Sequence, residues 1–274
     1  MNCERHFQET YSRDESGRFL VKVPFKTNES SFPGSFAIAK QNFLRTEKRF
    51  ISNPALKDSY HAFMREYLEL SHITKIGCES SMLSNQLDLL YFIPHHGILQ
   101  GTSSNPKFRV VFNASSHAMK GKSLNDLLLS GPSLQTNIVD ILTKWRMLKY
   151  VYSADIQKMY RQINVHPDHR KFQRILWRFS EEEPISIFEL NTVTYDVVSS
   201  AYQALRSIRQ LSLDEYERFP QVVKFPNENM YVDDGFFGAD TIDEAIVLAK
   251  QFHDFLMAGG AFLCANGQPT ILIF

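Results

Sequence analysis

Two aspartates stand side by side in Tyr231-Val232-Asp233-Asp234-Gly235-Phe236-Phe237, between apolar arms that read as the strands of a hairpin. Asp-Gly is a favoured turn pair because it tolerates positive φ, so the spacing predicts a tight turn with two carboxylates at its tip. Such neighbours repel each other unless a cation or hydrogen bonds compensate. A third acid, Asp155, closes the apolar run Tyr150-Val151-Tyr152-Ser153-Ala154, where a helical turn begins. If the two strands are neighbours, three carboxylates converge. Oxygen ligands of this kind suit hard divalent cations, and a pair of such ions can activate a hydroxyl and stabilise a leaving pyrophosphate during in-line displacement. An Asp-Asp turn alone reads better as a solvated turn; the second acid-bearing strand is what favours a site.

Other reactive residue types gather less well. His95-His96 has no partner at a ligand spacing, and adjacent residues of a strand point to opposite faces. Asp240-Thr241-Ile242 lacks the glycine that an aspartic-protease loop needs. Cys3, Cys78 and Cys264 are scattered, form no CxxC spacing, and read as free thiols in a reducing compartment. The chain carries 30 basic and 30 acidic residues, a formal net charge of zero. Nucleic-acid binders usually show a basic surplus, so the balance argues against a tight autonomous binder, although a local basic face can hide in a neutral total. Met1 to His6 holds no apolar signal core, and no apolar run reaches membrane-spanning length. The expectation is a soluble, intracellular protein with no membrane partner.

The elements that must position these acids can be read coarsely. The first thirty-odd residues look loosely organised except for a strand over Arg18 to Phe25. Helix is expected from about Ser35 to Phe50. A second helix follows, with Asn53 as cap, Pro54 in the first turn and Leu56, Tyr60, Phe63, Met64, Tyr67 and Leu68 on one face. Leu90 to Ile93 with Gly97 to Gln100, and then Phe108 to Phe112, read as extended runs separated by the loop Thr102 to Pro106. A short helix carries Ile138, Ile141, Leu142 and Trp145 on one side. The strand Tyr150 to Asp155, a helical turn around Lys158 to Ile163, and strands over Phe172 to Phe179 and Ile185 to Leu190 follow. Helices are expected over about Ser200 to Glu217 and Thr241 to Ala258, the second ended by Gly259-Gly260. Strands joined by hairpins and interleaved with helices point to α+β rather than a doubly wound parallel sheet.

Tyr231-Val232-Asp233-Asp234 matches the YxDD signature of reverse transcriptases, with Asp155 where their first catalytic aspartate lies. A lone YxDD is weak evidence. More specific are the blocks around it: Tyr91 to His96, Phe108 to Ser115, Ser123 to Leu128, Ala154 to Gln162, Gln173 to Arg178, Glu189 to Tyr195 and Tyr231 to Asp240. In this order, from about residue 5 to residue 263, they resemble the reverse transcriptase domain of BEL/Pao-type LTR retrotransposon polyproteins. The resemblance implies a right-hand polymerase with an antiparallel palm sheet packed on helices and the thumb largely absent. It implies an N-terminal extension with helices over 1–88, fingers over 89–149, a palm over 150–263, and a divergent tail over 264–274. It further implies RNA-directed DNA synthesis by two Mg²⁺ or Mn²⁺ ions held by Asp155, Asp233 and Asp234. The partners would be an RNA or DNA template-primer, deoxynucleoside triphosphates and the remaining parts of a retrotransposon polyprotein, in the cytoplasm. Tyr160 matches the aromatic residue beneath the sugar, which would clash with a 2′-hydroxyl. Arg109, with Lys107 as a weaker companion, matches the basic fingers hairpin that closes on the triphosphate, and Tyr195 matches a substrate-binding position.

Three departures accompany the match. Tyr195-Asp196-Val197-Val198-Ser199-Ser200-Ala201-Tyr202 stands where the family reads YGTASAPF, so Asp196 replaces a glycine and Ala201 a proline. Asn113 stands where the fingers strand usually carries Asp. After Leu263 the family's basic, tryptophan-containing run is replaced by Cys264-Ala265-Asn266-Gly267-Gln268-Pro269. Asp196 would add negative charge near phosphates and weaken substrate binding. The alternative these departures imply is a degenerate or domesticated copy that binds nucleic acid or protein without catalysing.

Overall fold

Asn53 both ends one helix and starts the next. Its backbone N–H donates to the Phe50 carbonyl at the end of helix Ser35–Ser52, and its side chain accepts from Leu56 N–H at 3.0 Å at the start of helix Pro54–Glu69. A side-chain oxygen there satisfies one of the N–H groups that a first helical turn leaves without a partner. Leu56, Tyr60, Met64 and Tyr67 form the buried stripe of the second helix, as the spacing predicts. The computed structural model describes residues 2–27, 31–82, 87–100, 107–118, 121–260, 262 and 270–273. The chain divides into two compact units, each discontinuous in sequence.

The first unit comprises Met1–His6, Lys22–Ser130 and Val165–Ser200. Its two long helices accompany an antiparallel sheet in the order Ile73–Cys78, Ser186–Leu190, Arg174–Trp177. A separate hairpin pairs His95–Gln100 with Lys107–Phe112. Fully buried Trp177 stacks on Tyr60 with centroids 4.9 Å apart, and Phe43, Phe50 and His95 surround it. Aromatic clusters of this size bury large apolar areas and dominate a core.

The second unit comprises Phe7–Val21, Gly131–Asn164 and Ala201–Phe274. Its sheet runs Met230–Tyr231, Asp234–Ala239, Tyr150–Asp155, Thr270–Ile273, with every pair antiparallel. Helix Ile242–Ala258, capped by the Thr241 side chain, packs on the two central strands through Phe252, which lies 4.4 Å from the Phe237 ring. Helix Ile138–Trp145 braces the same pair: its Trp145 indole N–H lies 3.3 and 3.1 Å from the carbonyls of Tyr152 and Phe237, which are register partners. Helix Ser200–Asp214 completes the larger elements.

Several expectations change. The N-terminus is organised: helix Cys3–Thr10 buries Cys3 and Phe7, and Ser12–Arg13 pairs with Phe19–Val21. The strand expected over Arg18 to Phe25 therefore shrinks to Phe19–Val21, and Phe25 keeps only an isolated bridge to Leu128. Leu90 to Ile93 is not a strand. These residues are apolar because they are buried, and only Phe92 bridges to Arg174. Strand Ile73–Cys78 and short helix Phe225–Glu228 were not anticipated, and the tail contributes strand Thr270–Ile273. The loop Thr102 to Pro106 and the segment Cys264 to Pro269 lie outside the described residues. Among the described residues no helix is long and apolar enough to cross a membrane.

Candidate active site

The strand Tyr150–Asp155 buries Val151, Tyr152 and Ala154 and surfaces at Asp155, its last residue. Asp234, the first residue of the next strand, is the register partner of Asp155. Directly opposed residues of an antiparallel pair project from the same face with Cβ atoms roughly 5 Å apart. Ile156 N–H donates to the Asp233 carbonyl at 2.9 Å, which fastens the turn to the end of the strand. All three acids thus belong to one end of one sheet.

The turn itself differs from the expectation. Tyr231 pairs with Asp234, so the loop is Val232-Asp233, with positive φ at Val232 (57°). Positive φ at the first of two loop residues is the pattern of a type II′ turn, where glycine is the usual occupant. Val232 is β-branched, and that conformation is strained for it. Gly235 has no positive φ and lies in the strand, where an added Cβ would meet the Phe237 ring at 2.6 Å. Its role is close packing rather than turning.

Electrostatics follow from this placement. The Asp234 carboxyl is pushed up from its ordinary range by burial, then by Asp233 and Asp155; Asp155 is pushed up by burial and then by Asp233. Upward shifts mean that mutual repulsion and burial outweigh any neighbouring cation. Among the described residues no three His, Cys, Asp or Glu side chains close tightly enough around one point to hold a metal ion. The donor chemistry nevertheless fits a hard divalent cation: carboxylate oxygens only, held at a strand end, in an environment that disfavours their bare charge.

Tyr160 lies half-buried in the 3₁₀ turn Met159–Gln162, entered through Lys158 at φ 51°. The acids and Tyr160 belong to the second unit, whereas Lys107, Arg109 and Tyr195 belong to the first. Arg109 is exposed on its strand opposite Ile98, and Lys107 stands opposite Gln100, with its side chain outside the described residues. The Tyr195 hydroxyl donates to the Val110 carbonyl and its ring lies 5.6 Å from Phe112, so Tyr195 and Arg109 share one strand's environment. Asp196 has φ 72°, the left-handed conformation that glycine adopts freely and Asp tolerates better than most residues. Asn125 pins this loop in two directions, donating to the Asp196 carbonyl at 2.9 Å and accepting from Val198 N–H at 2.8 Å. The Asn113 carboxamide accepts from Ser115 N–H at 3.2 Å, a role an aspartate could fill as well. His95 is buried between the Tyr60 hydroxyl and the Leu176 carbonyl, while His96 is exposed.

No family model matches the sequence, and no curated protein matches it. Solved structures do match the fold. The foamy viral protease-reverse transcriptase in complex with RNA/DNA hybrid is similar over 94% of this chain and 30% of its own, at 12% identity and a TM-score of 0.57. The fold is reverse transcriptase-like. The foamy viral protease-reverse transcriptase in complex with double-stranded DNA is similar over 80% of this chain and 31% of its own, at 14% identity and a TM-score of 0.55. The native protease-reverse transcriptase of Prototype Foamy Virus is similar over 96% and 27%, at 11% identity and the same TM-score. The chain therefore spans about a third or less of each of these proteins' length.

Proposed function

We propose that this chain is the fingers and palm of an RNA-directed DNA polymerase, a reverse transcriptase of the BEL/Pao retrotransposon type. The observation that carries the reading is the cross-strand pairing of Asp155 with Asp234, with Asp233 in the adjoining turn, on a reverse transcriptase-like fold. The three carboxylates would hold two Mg²⁺ or Mn²⁺ ions, which when bound supply Lewis-acid activation of a primer hydroxyl and neutralise the charge on the leaving pyrophosphate. The residues of the chain do the positioning. Asp155 and Asp234 set the reaction's place from a rigid sheet end. Tyr160 excludes a 2′-hydroxyl by its bulk. Arg109, assisted by Lys107, offers fixed charge and paired N–H donors to the triphosphate. Tyr195 and its loop meet the base pair being formed. Template-primer and deoxynucleoside triphosphates are the substrates, with other parts of a retrotransposon polyprotein as partners in the cytoplasm.

Primer extension on an RNA template with Mg²⁺ or Mn²⁺ tests the reading. Incorporation by the wild-type chain that Asp233→Asn abolishes supports it. Equal silence of both chains with RNA binding retained favours the second reading, a copy that binds without catalysing. Asp196, an acid held in a glycine conformation, and the zero formal net charge are the observations on that side.

A further inference from the structure

The N-terminal hairpin is anchored more firmly than its length suggests. Asp14 accepts from the backbone N–H of Ser16 and Arg18 at 2.9 and 3.1 Å, which closes the turn between its two strands. Arg13 donates within the hairpin to Gly17 O at 2.9 Å and holds the hairpin to the rest of the second unit through Glu215 Oε1 at 3.1 Å and the Ala258 carbonyl. Glycines permit that contact. A Cβ on Gly17 would meet the Ala258 carbonyl at 2.7 Å, and one on Gly260 would strike the Arg18 backbone nitrogen.

From this anchored base Arg18 reaches the turn that carries Tyr160. Its guanidinium donates to Arg161 O at 2.9 Å and Gln162 O at 3.2 Å, at the end of the 3₁₀ turn Met159–Gln162. The Gln162 side chain folds back onto the Gln157 carbonyl at 2.9 Å, and the segment's other end is fastened by Ile156 N–H on Asp233 O. Tyr160 therefore sits in a stretch tied at one end to the carboxylate turn and at the other to Arg18. The planar fork of arginine can serve two adjacent carbonyls at once, where a lysine ammonium is a poorer geometric match.

We propose that Arg18 is a positioning residue that fixes the Tyr160 turn and, through it, the choice between deoxyribonucleotides and ribonucleotides; the selectivity half of this rests on the polymerase reading above. The test uses the full chain and Arg18→Ala, Arg18→Lys and Tyr160→Val. Amide hydrogen exchange of 157–163 is expected to quicken by about tenfold in Arg18→Ala, while amides in the middle of helix Ile242–Ala258 stay as in wild type. Ribonucleotide incorporation relative to deoxyribonucleotide should rise by about tenfold in Arg18→Ala, towards the level of Tyr160→Val, with Arg18→Lys in between. Unchanged exchange in a folded Arg18→Ala chain overturns the proposal. So does quickened exchange with selectivity unaltered, when Tyr160→Val does alter it. If the wild-type chain incorporates nothing, the polymerase reading fails; if it incorporates but Tyr160→Val leaves selectivity as it was, the sugar-gate role of Tyr160 fails; in either case the selectivity role of Arg18 falls with it. Those cases are told apart because the turn still loosens. Should Arg18→Ala fail to fold, Arg18→Lys carries both measurements.

Discussion

Asp155 and Asp234 are register partners at the end of an antiparallel pair, so two acids occupy one face of one sheet with a third in the adjoining turn. Burial and mutual repulsion push the carboxyls of Asp155 and Asp234 up. A folded-state value above the unfolded one means the folded chain binds more protons just above the ordinary carboxylate range, so these groups cost stability as pH rises through it. Asp234→Asn should therefore raise Tm at neutral pH by about one or two degrees, and the gain should vanish below about pH 4. Thermal melts of both chains across pH check this.

The same strain predicts a response to divalent ions. Mg²⁺ or Mn²⁺ at about ten times its dissociation constant should stabilise the chain by about 1.4 kcal/mol by mass action. Asp155→Asn should remove most of that response. Melting temperature against ion concentration, with Ca²⁺ as a comparison, is the measurement.

Val232 offers a separation of stability from activity. A β-branched residue at φ 57° costs about 1–2 kcal/mol, against about 1 kcal/mol or less for the extra unfolded-state freedom of glycine. Val232→Gly should be as stable as wild type or slightly more so by denaturant titration. Primer extension should fall severalfold, because the turn that aims Asp233 becomes free to move.

Asp196→Gly opposes two terms of similar size, relief of a left-handed backbone and added unfolded-state entropy. Stability should change by less than about 0.5 kcal/mol. The removed charge should instead appear as tighter nucleotide or template binding, read as a lower KM in primer extension.

Two histidines of the first unit, buried His95 and half-buried His169, contribute to its acid behaviour. His95 Nε2 donates to the Leu176 carbonyl, so its neutral ring accepts the Tyr60 hydroxyl at Nδ1, and burial lowers its pKa to about 4. His169 is likewise lowered to about 4, by burial first and then by Lys22, His6 and His166. A folded value below the unfolded one means that stability falls as pH drops from about 6.5 and levels off near 4. Denaturant midpoints for wild type and His95→Gln over that range should differ in slope.

Local rules were readable wherever one side chain does one job. Asn53 and Thr241 announce their helix starts because a side-chain oxygen must meet a first-turn N–H, and Asp155 is conspicuous as an acid closing an apolar strand. What escaped depends on distant partners. Leu90 to Ile93 is apolar for burial, not for pairing, and composition cannot separate the two. Ile73–Cys78, with a mostly exposed middle, lacks alternation and becomes a strand only because Ser186–Leu190 lies beside it. The Asp-Gly pair suggested a turn at the wrong place, since Gly235 is set by the ring of Phe237 in space. Arg18 looked like the start of a strand; its role comes from carbonyls far along the chain.

The second unit is assembled from three separate stretches of sequence, and that has a consequence on the ribosome. The strand Tyr150–Asp155 emerges long before the Asp234–Ala239 strand that flanks it. At roughly 5–20 residues per second of synthesis, Val151 and Tyr152 wait several seconds or more as an unpaired, water-exposed β segment. Nascent chains of this protein should therefore engage holdase chaperones during that interval and let go once the hairpin around Asp233 has been made.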